Sequence, residues 1–166
     1  MTLETIYYIG QTIAVVVIIA TLIALLIQTR QTNALARAET SRSHMYWFAM
    51  EQHRLFATPE DAAFMHKALR TSEPLTDEEK GRFAFSMALM FSLVEAAQQT
   101  HQTGLFRDTD YDRALDTTRM AYLNSPRVRK WWAYTRTFYA GNPDFVAVID
   151  KLVAEVEEDA KKGETP

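Results

Sequence analysis

The chain has 166 residues, 48% of them hydrophobic and 11% aromatic, with a formal net charge of −3 and no cysteine. This share of apolar side chains can build a buried core, which argues against wholesale disorder. The lack of cysteine excludes disulfides, thiolate zinc sites and a cysteine nucleophile, and the lack of a concentrated basic face makes nucleic acid a poor partner.

After a short tail, residues 1–5, the segment Ile6 to Ile27 reads IYYIGQTIAVVVIIATLIALLI, and no charged side chain falls between Glu4 and Arg30. As a helix this segment reaches about 33 Å, enough for a hydrocarbon core of about 30 Å. Tyr7 and Tyr8 stand where an interfacial aromatic belt would place them. A cleaved signal peptide needs a basic leader, a shorter apolar core and a small-x-small cleavage site. Here the only charge ahead of the core is Glu4, the core is long, and Gln28-Thr29-Arg30-Gln31 follows it, so the segment reads as an uncleaved anchor.

All 18 Lys and Arg lie beyond the segment, and Arg30, Arg37 and Arg42 flank its C-terminal end. The distribution predicts an N-terminus outside and a C-terminal domain in the cytoplasm. Gly10, Ala14, Ala20 and Ala24 are small enough for close helix–helix contact. Gln11, Thr12 and Thr21 are the polar side chains of the span besides the tyrosines, and they would line a water-filled path only in a closed oligomer.

No proline or glycine interrupts the chain from Gln28 to Ala57, so a juxtamembrane stalk, 28–44, can continue the anchor helix. Ala34, Ala38, Ser41, Met45, Phe48, Gln52 and Leu55 alternate three and four apart, as in a helix-pairing seam. Apolar character begins at Met45, where the predicted helical domain, 45–158, starts. Thr58-Pro59-Glu60-Asp61 is a helix start, Thr71-Ser72-Glu73-Pro74 a break, and Thr76-Asp77-Glu78-Glu79 a second start with capping-box spacing.

The helix that follows carries FAFSMALMFSLV, Phe83 to Val94, which is apolar on nearly every side and predicts burial all round. Gly104 stops it. A helix from Asp108 or Thr109 places Tyr111, Leu115, Thr118 and Tyr122 on one face. Ser125-Pro126 opens another, with Val128, Trp131, Trp132, Thr135, Phe138 and Tyr139 as a broad stripe ended by Gly141. Asn142-Pro143-Asp144 starts the last helix, with Phe145, Ile149, Leu152 and Val156 facing inward. EVEEDAKKGETP reads as a charged, fraying end, flexible over 159–166.

Three sets of residues are candidates for function. Glu95 follows the apolar run, with Gln98 and His101 along the same side of the helix. They suggest an acid–base or metal site, or else a buried salt bridge from Glu95 to Arg119, Arg127, Arg129 or Arg136. Helical di-metal sites use Glu-x-x-His, and Gln98 stands at the position the histidine would need. His44, His53 and His66 are scattered. Arg127, Arg129 and Lys130 beside Trp131 and Trp132 form a candidate interaction surface for anionic headgroups or a protein, unless the tryptophans are simply core. Gln11, Thr12 and Thr21 are the intramembrane polar set. No serine elbow, phosphate loop or His-Glu-x-x-His motif occurs.

Tyr8-Ile9-Gly10-Gln11, then Gly104-Leu105-Phe106, then Ser125-Pro126-Arg127-Val128-Arg129-Lys130-Trp131-Trp132 resemble, as a set, an uncharacterised bacterial family of similar length with one N-terminal span and a helical domain. The resemblance covers most of the chain and implies a bacterial inner-membrane location. The family has no established activity, so no catalytic residues follow from it. The expectation is an all-α protein, with one N-terminal transmembrane helix and a compact bundle of about five helices. It would act as a non-catalytic interaction, scaffold or accessory module with the lipid bilayer and a protein partner or homo-oligomer, and with no cofactor. An enzyme or metal site at Glu95 and His101, or an oligomeric pore, are the alternatives.

Overall fold

The computed structural model describes residues 2–163. Among these, six α-helices form and no strand does. They are α1 (Leu3–Leu55), α2 (Pro59–Arg70), α3 (Asp77–Gln102), α4 (Asp108–Thr117), α5 (Pro126–Thr135) and α6 (Pro143–Gly163). A π-helical turn, Thr118–Leu123, follows α4, and a 3-10 turn, Arg136–Tyr139, follows α5.

The apolar segment and the stalk are one helix. With nothing to break it after Gly10, α1 runs for 53 residues, about 80 Å. Its N-terminal part is long and apolar enough to cross a membrane, with mean hydropathy 2.6 over an 18-residue window and none of that window buried inside the structure. Residues Gln28 to Glu39 are exposed at every position.

The last turns of α1 join the bundle. Ser41 is 0% exposed, and its Oγ accepts the backbone N–H of Arg107 at 3.2 Å. His44 Nε2 lies 2.9 Å from Thr100 Oγ1 on α3, and Phe48 and Leu55 enter the main core. The bundle therefore begins one turn earlier than the Met45 start that the apolar pattern suggests. A serine carries no hydrophobic signal, and its burial depends on a donor from a loop far along the chain. The seam is filled by the protein's own helices from Ser41 onward, while Ala34 and Ala38 stay exposed.

Both capping boxes form, Thr58 with Asp61 and Thr76 with Glu79. The antiparallel pair α2 and α3 is tied by Lys67 to Glu79 at 2.7 Å and by Arg82 to Asp61, with Arg82 also over the Phe64 ring. Gly104 ends α3 at φ 71, where its N–H reaches the His101 carbonyl and the Leu105 N–H reaches Thr100. That left-handed conformation is one that a Cβ disfavours.

The centre of the core is Trp132, 1% exposed. It stacks on Phe91 with centroids 5.3 Å apart and meets Phe145 edge-on at 5.9 Å. Its indole N–H donates to Asp150 at 2.8 Å, and Arg136 pairs with the other oxygen of that carboxylate. Two expected features differ. Phe138 lies outside the predicted stripe, because the helix tightens to 3-10 at Arg136–Tyr139 and turns Tyr139 inward instead. The charged end does not fray from Glu155: α6 continues to Gly163, held by Arg119 on Asp159 at 2.5 Å and Arg129 near Glu157 at 3.8 Å. Residues 164–166 of the predicted flexible tail lie outside the described residues.

Arg127 is the strut between α5 and the end of α2. Its guanidinium donates to the carbonyls of Lys67, Ala68 and Glu73, which the helix end leaves without intrahelical donors. Arg127→Gln should destabilise the protein by about 1–3 kcal/mol, read as a lower melting temperature of the full-length protein.

A pH effect follows from α1. Burial holds the His44 imidazole below the usual histidine range, so as pH falls below about 6.5 the unfolded chain takes up a proton that the folded chain resists. Stability is thus greatest above that value and declines toward the lowered pKa. Melting curves should shift to lower temperature across this window, and His44→Gln should flatten that part of the profile.

Candidate interaction surface

The polar side chains singled out along α3 do not converge. Gln98 is buried and accepts from the Asn142 side-chain amide at 3.0 Å. His101 pairs with Asp108 at 2.9 Å and stacks on Tyr111, centroids 4.4 Å apart. Glu95 is half-buried, and its charge together with burial, the larger cause, raises the phenol of Tyr139 above its ordinary pKa. The salt bridge from Glu95 to an arginine does not form, because all four candidates are engaged elsewhere. Arg119 holds Asp159, Arg136 holds Asp150, and Arg127 and Arg129 bind backbone carbonyls. Among the described residues no three His, Asp or Glu side chains are grouped so as to hold a metal ion.

The predicted surface on α5 is mostly interior. Trp132 is core and Trp131 is half-buried, edge-on to Phe91 at 5.2 Å. Arg129 donates to the carbonyls of Leu123 and Asn124 at 2.8 and 3.1 Å, closing the end of the π-turn. Arg127 closes α2 as described. Only Lys130 of the five is exposed. The arginines act as helix caps from a neighbouring element, a use that the sequence pattern does not distinguish from a basic patch.

In the apolar segment, Thr12 Oγ1 donates to the Tyr8 carbonyl at 2.9 Å and Thr21 Oγ1 to that of Val17 at 2.8 Å. These hydroxyls are satisfied within their own helix and require no water. Gln11 faces outward.

What the sequence did not point to is an open apolar face where α1 and α3 meet. The expected all-round burial of Phe83 to Val94 is not found: Phe85 is 67% exposed, and Leu89 and Leu93 are half-buried. Across from them on α1, Trp47 is 60% exposed and Met50 is exposed as well. Trp47, Met50, Leu89 and Leu93 line a groove of about 470 Å³, with His53 and Arg54 at its rim. Phe85, one turn before Leu89 on α3, extends the apolar strip. Glu51, at the groove floor, is neutralised by a two-pronged pair with Arg54. A signal was present: a helix apolar on all sides, paired with a neighbour whose aromatics flank its own buried Phe48, has more apolar surface than one small core can cover.

The chain matches no family model, no curated protein and no solved structure. The chemistry of this surface is what bears on function.

Because Phe85 contributes little to the core, Phe85→Ser should leave the melting temperature near that of the wild type, within about 0.5 kcal/mol. Phe91→Ala, in the stack under Trp132, should cost about 3–5 kcal/mol. Parallel thermal melts of the two variants check the contrast.

Proposed function

We propose that the protein is a single-pass, membrane-anchored helical module of a bacterial inner membrane, with its C-terminal bundle in the cytoplasm, where it binds a protein partner as a scaffold or accessory subunit. The single observation that carries the reading is the open apolar groove of Trp47, Met50, Leu89 and Leu93, set on a helix whose other end is a continuous, wholly exposed apolar segment.

The geometry supports a protein rather than a lipid at that groove. Trp47 lies about 30 Å along the helix axis beyond Ile27. The exposed stretch Gln28–Glu39 alone accounts for about 18 Å of that spacing. On a helix standing along the membrane normal, the groove clears the headgroup layer, so its exposed aromatics face water. Exposed apolar patches of this kind mark interaction sites, and aromatic and methionine side chains are favoured in interface cores. The apolar segment itself would be covered by hydrocarbon. The arginines after it support the cytoplasmic placement, and the resemblance noted in the sequence supports the bacterial inner membrane.

Two measurements test the reading. The natural absence of cysteine makes single-cysteine labelling free of background. Thr5→Cys should react with a membrane-impermeant maleimide in intact cells, and Ser72→Cys only after lysis; the reverse pattern would invert the topology. A photocrosslinking residue at Met50 of the full-length protein in its native membrane should yield one discrete adduct with a second protein, lost in Leu93→Glu. Adducts at multiples of the chain's own mass would identify a second copy as the partner, and lipid adducts alone would remove the proposal.

A further inference from the structure

A second cavity, separate from the α1–α3 groove, lies where the end of α1, α2 and the π-turn meet. It measures about 320 Å³, at the lower end of the roughly 300–1,000 Å³ of small-ligand sites. Its walls are Phe56, Met65, Leu69 and the ring of Tyr122, and Gln52, His66 and Arg70 supply its polar atoms.

The π-turn builds this site. Thr118 Oγ1 donates to Ala114, and the Asn124 N–H reaches back to the Arg119 carbonyl, five residues earlier, at 3.1 Å. The wider turn sends Leu123 into the core and keeps Ala121 and Tyr122 on the cavity. Such π-turns are rare and recur at functional sites.

Tyr122 is 2% exposed, yet its hydroxyl makes no hydrogen bond with any described residue and borders the cavity. Burial, with the nearby Glu51 charge as a lesser cause, pushes its pKa up to about 12, so the phenol keeps its proton and can donate. Arg70 is exposed and has no ion pair among the described residues. It also lines an adjoining polar cleft of about 530 Å³ with Leu69, Thr71, Ser72 and Asn124. No carboxylate lines either space. An apolar chamber with a donor inside, opening past a free guanidinium into a wet cleft, selects a ligand with a flat apolar body and one anionic group.

We propose that this cavity binds a small aromatic carboxylic acid, its ring held between Met65, Leu69 and Tyr122 and its carboxylate taken by Arg70, with the Tyr122 hydroxyl donating to a ligand oxygen. The planar guanidinium matches a carboxylate in two-pronged fashion, and the sulfur of Met65 is a favourable neighbour for a ring.

The test uses full-length protein in lipid nanodiscs, titrated calorimetrically with naphthoate, with empty nanodiscs as reference. Naphthoate should bind saturably at one site per chain. Arg70→Gln should weaken it by about tenfold or more, and Tyr122→Phe should weaken it by a smaller factor. The uncharged naphthamide should bind the wild type poorly. Arg70 is exposed and the Tyr122 hydroxyl has no protein partner, so both variants should melt as the wild type does, which separates lost binding from lost folding. Heat no greater than that of empty nanodiscs, or naphthoate binding unchanged in both variants, overturns the proposal.

Discussion

The bundle grips α1 only by its last four turns or so, Ser41 to Leu55, and the rest of the molecule depends on that grip. Phe48 and Leu55 supply the apolar contact, while Ser41 with the Arg107 N–H and His44 with Thr100 fix the register at the stalk end. Helix α1 is unbroken, so whatever medium surrounds its apolar end is connected to the bundle by a rigid rod rather than by a flexible linker. A flexible linker would let the bundle sample all orientations. A continuous helix holds the α1–α3 groove at one height and limits which surfaces a partner can meet.

Within the bundle, two kinds of interaction divide the work. Aromatic stacking around Trp132 fills the centre, where dispersion and loss of water contact favour burial. Arginines on α5 then close the ends of neighbouring elements, Arg127 on α2 and Arg129 on the π-turn. Helix ends inside a compact fold leave carbonyls that water reaches poorly, so each end needs a donor. Placing these cations beside two tryptophans therefore serves the fold. The basic and aromatic cluster of the sequence is a structural joint with Lys130 left over at the surface.

The last turns of α1 border both open surfaces. Trp47 and Met50 line the apolar groove with α3, and Gln52 and Phe56 line the cavity with α2 and the π-turn. Neither surface is closed by the fold's own side chains. A domain of this size has limited core volume relative to its surface, and its strongest apolar helix, α3, is packed on one side more fully than on the other.

Much of the architecture was legible in the residues themselves. Helix starts at Thr58 and Thr76, the stop at Gly104 and the unbroken run through α1 follow from local chemistry: a side-chain acceptor for free N–H groups, tolerance of positive φ, and the absence of a breaker. The apolar N-terminal segment is equally local, since length and hydropathy are properties of consecutive residues. Burial of Ser41, the open side of Phe83 to Val94, the outward turn of Phe138 and the helical order of α6 were decided by tertiary structure. Each depends on partners distant in sequence: Arg107 for Ser41, the helix next to Phe85, the 3-10 turn around Phe138, Arg119 and Arg129 for α6. The same holds for function. Glu95, Gln98 and His101 share a helix side but are drawn to different neighbours, whereas Trp47 with Leu93, and Tyr122 with Arg70, are brought together only when the helices pack.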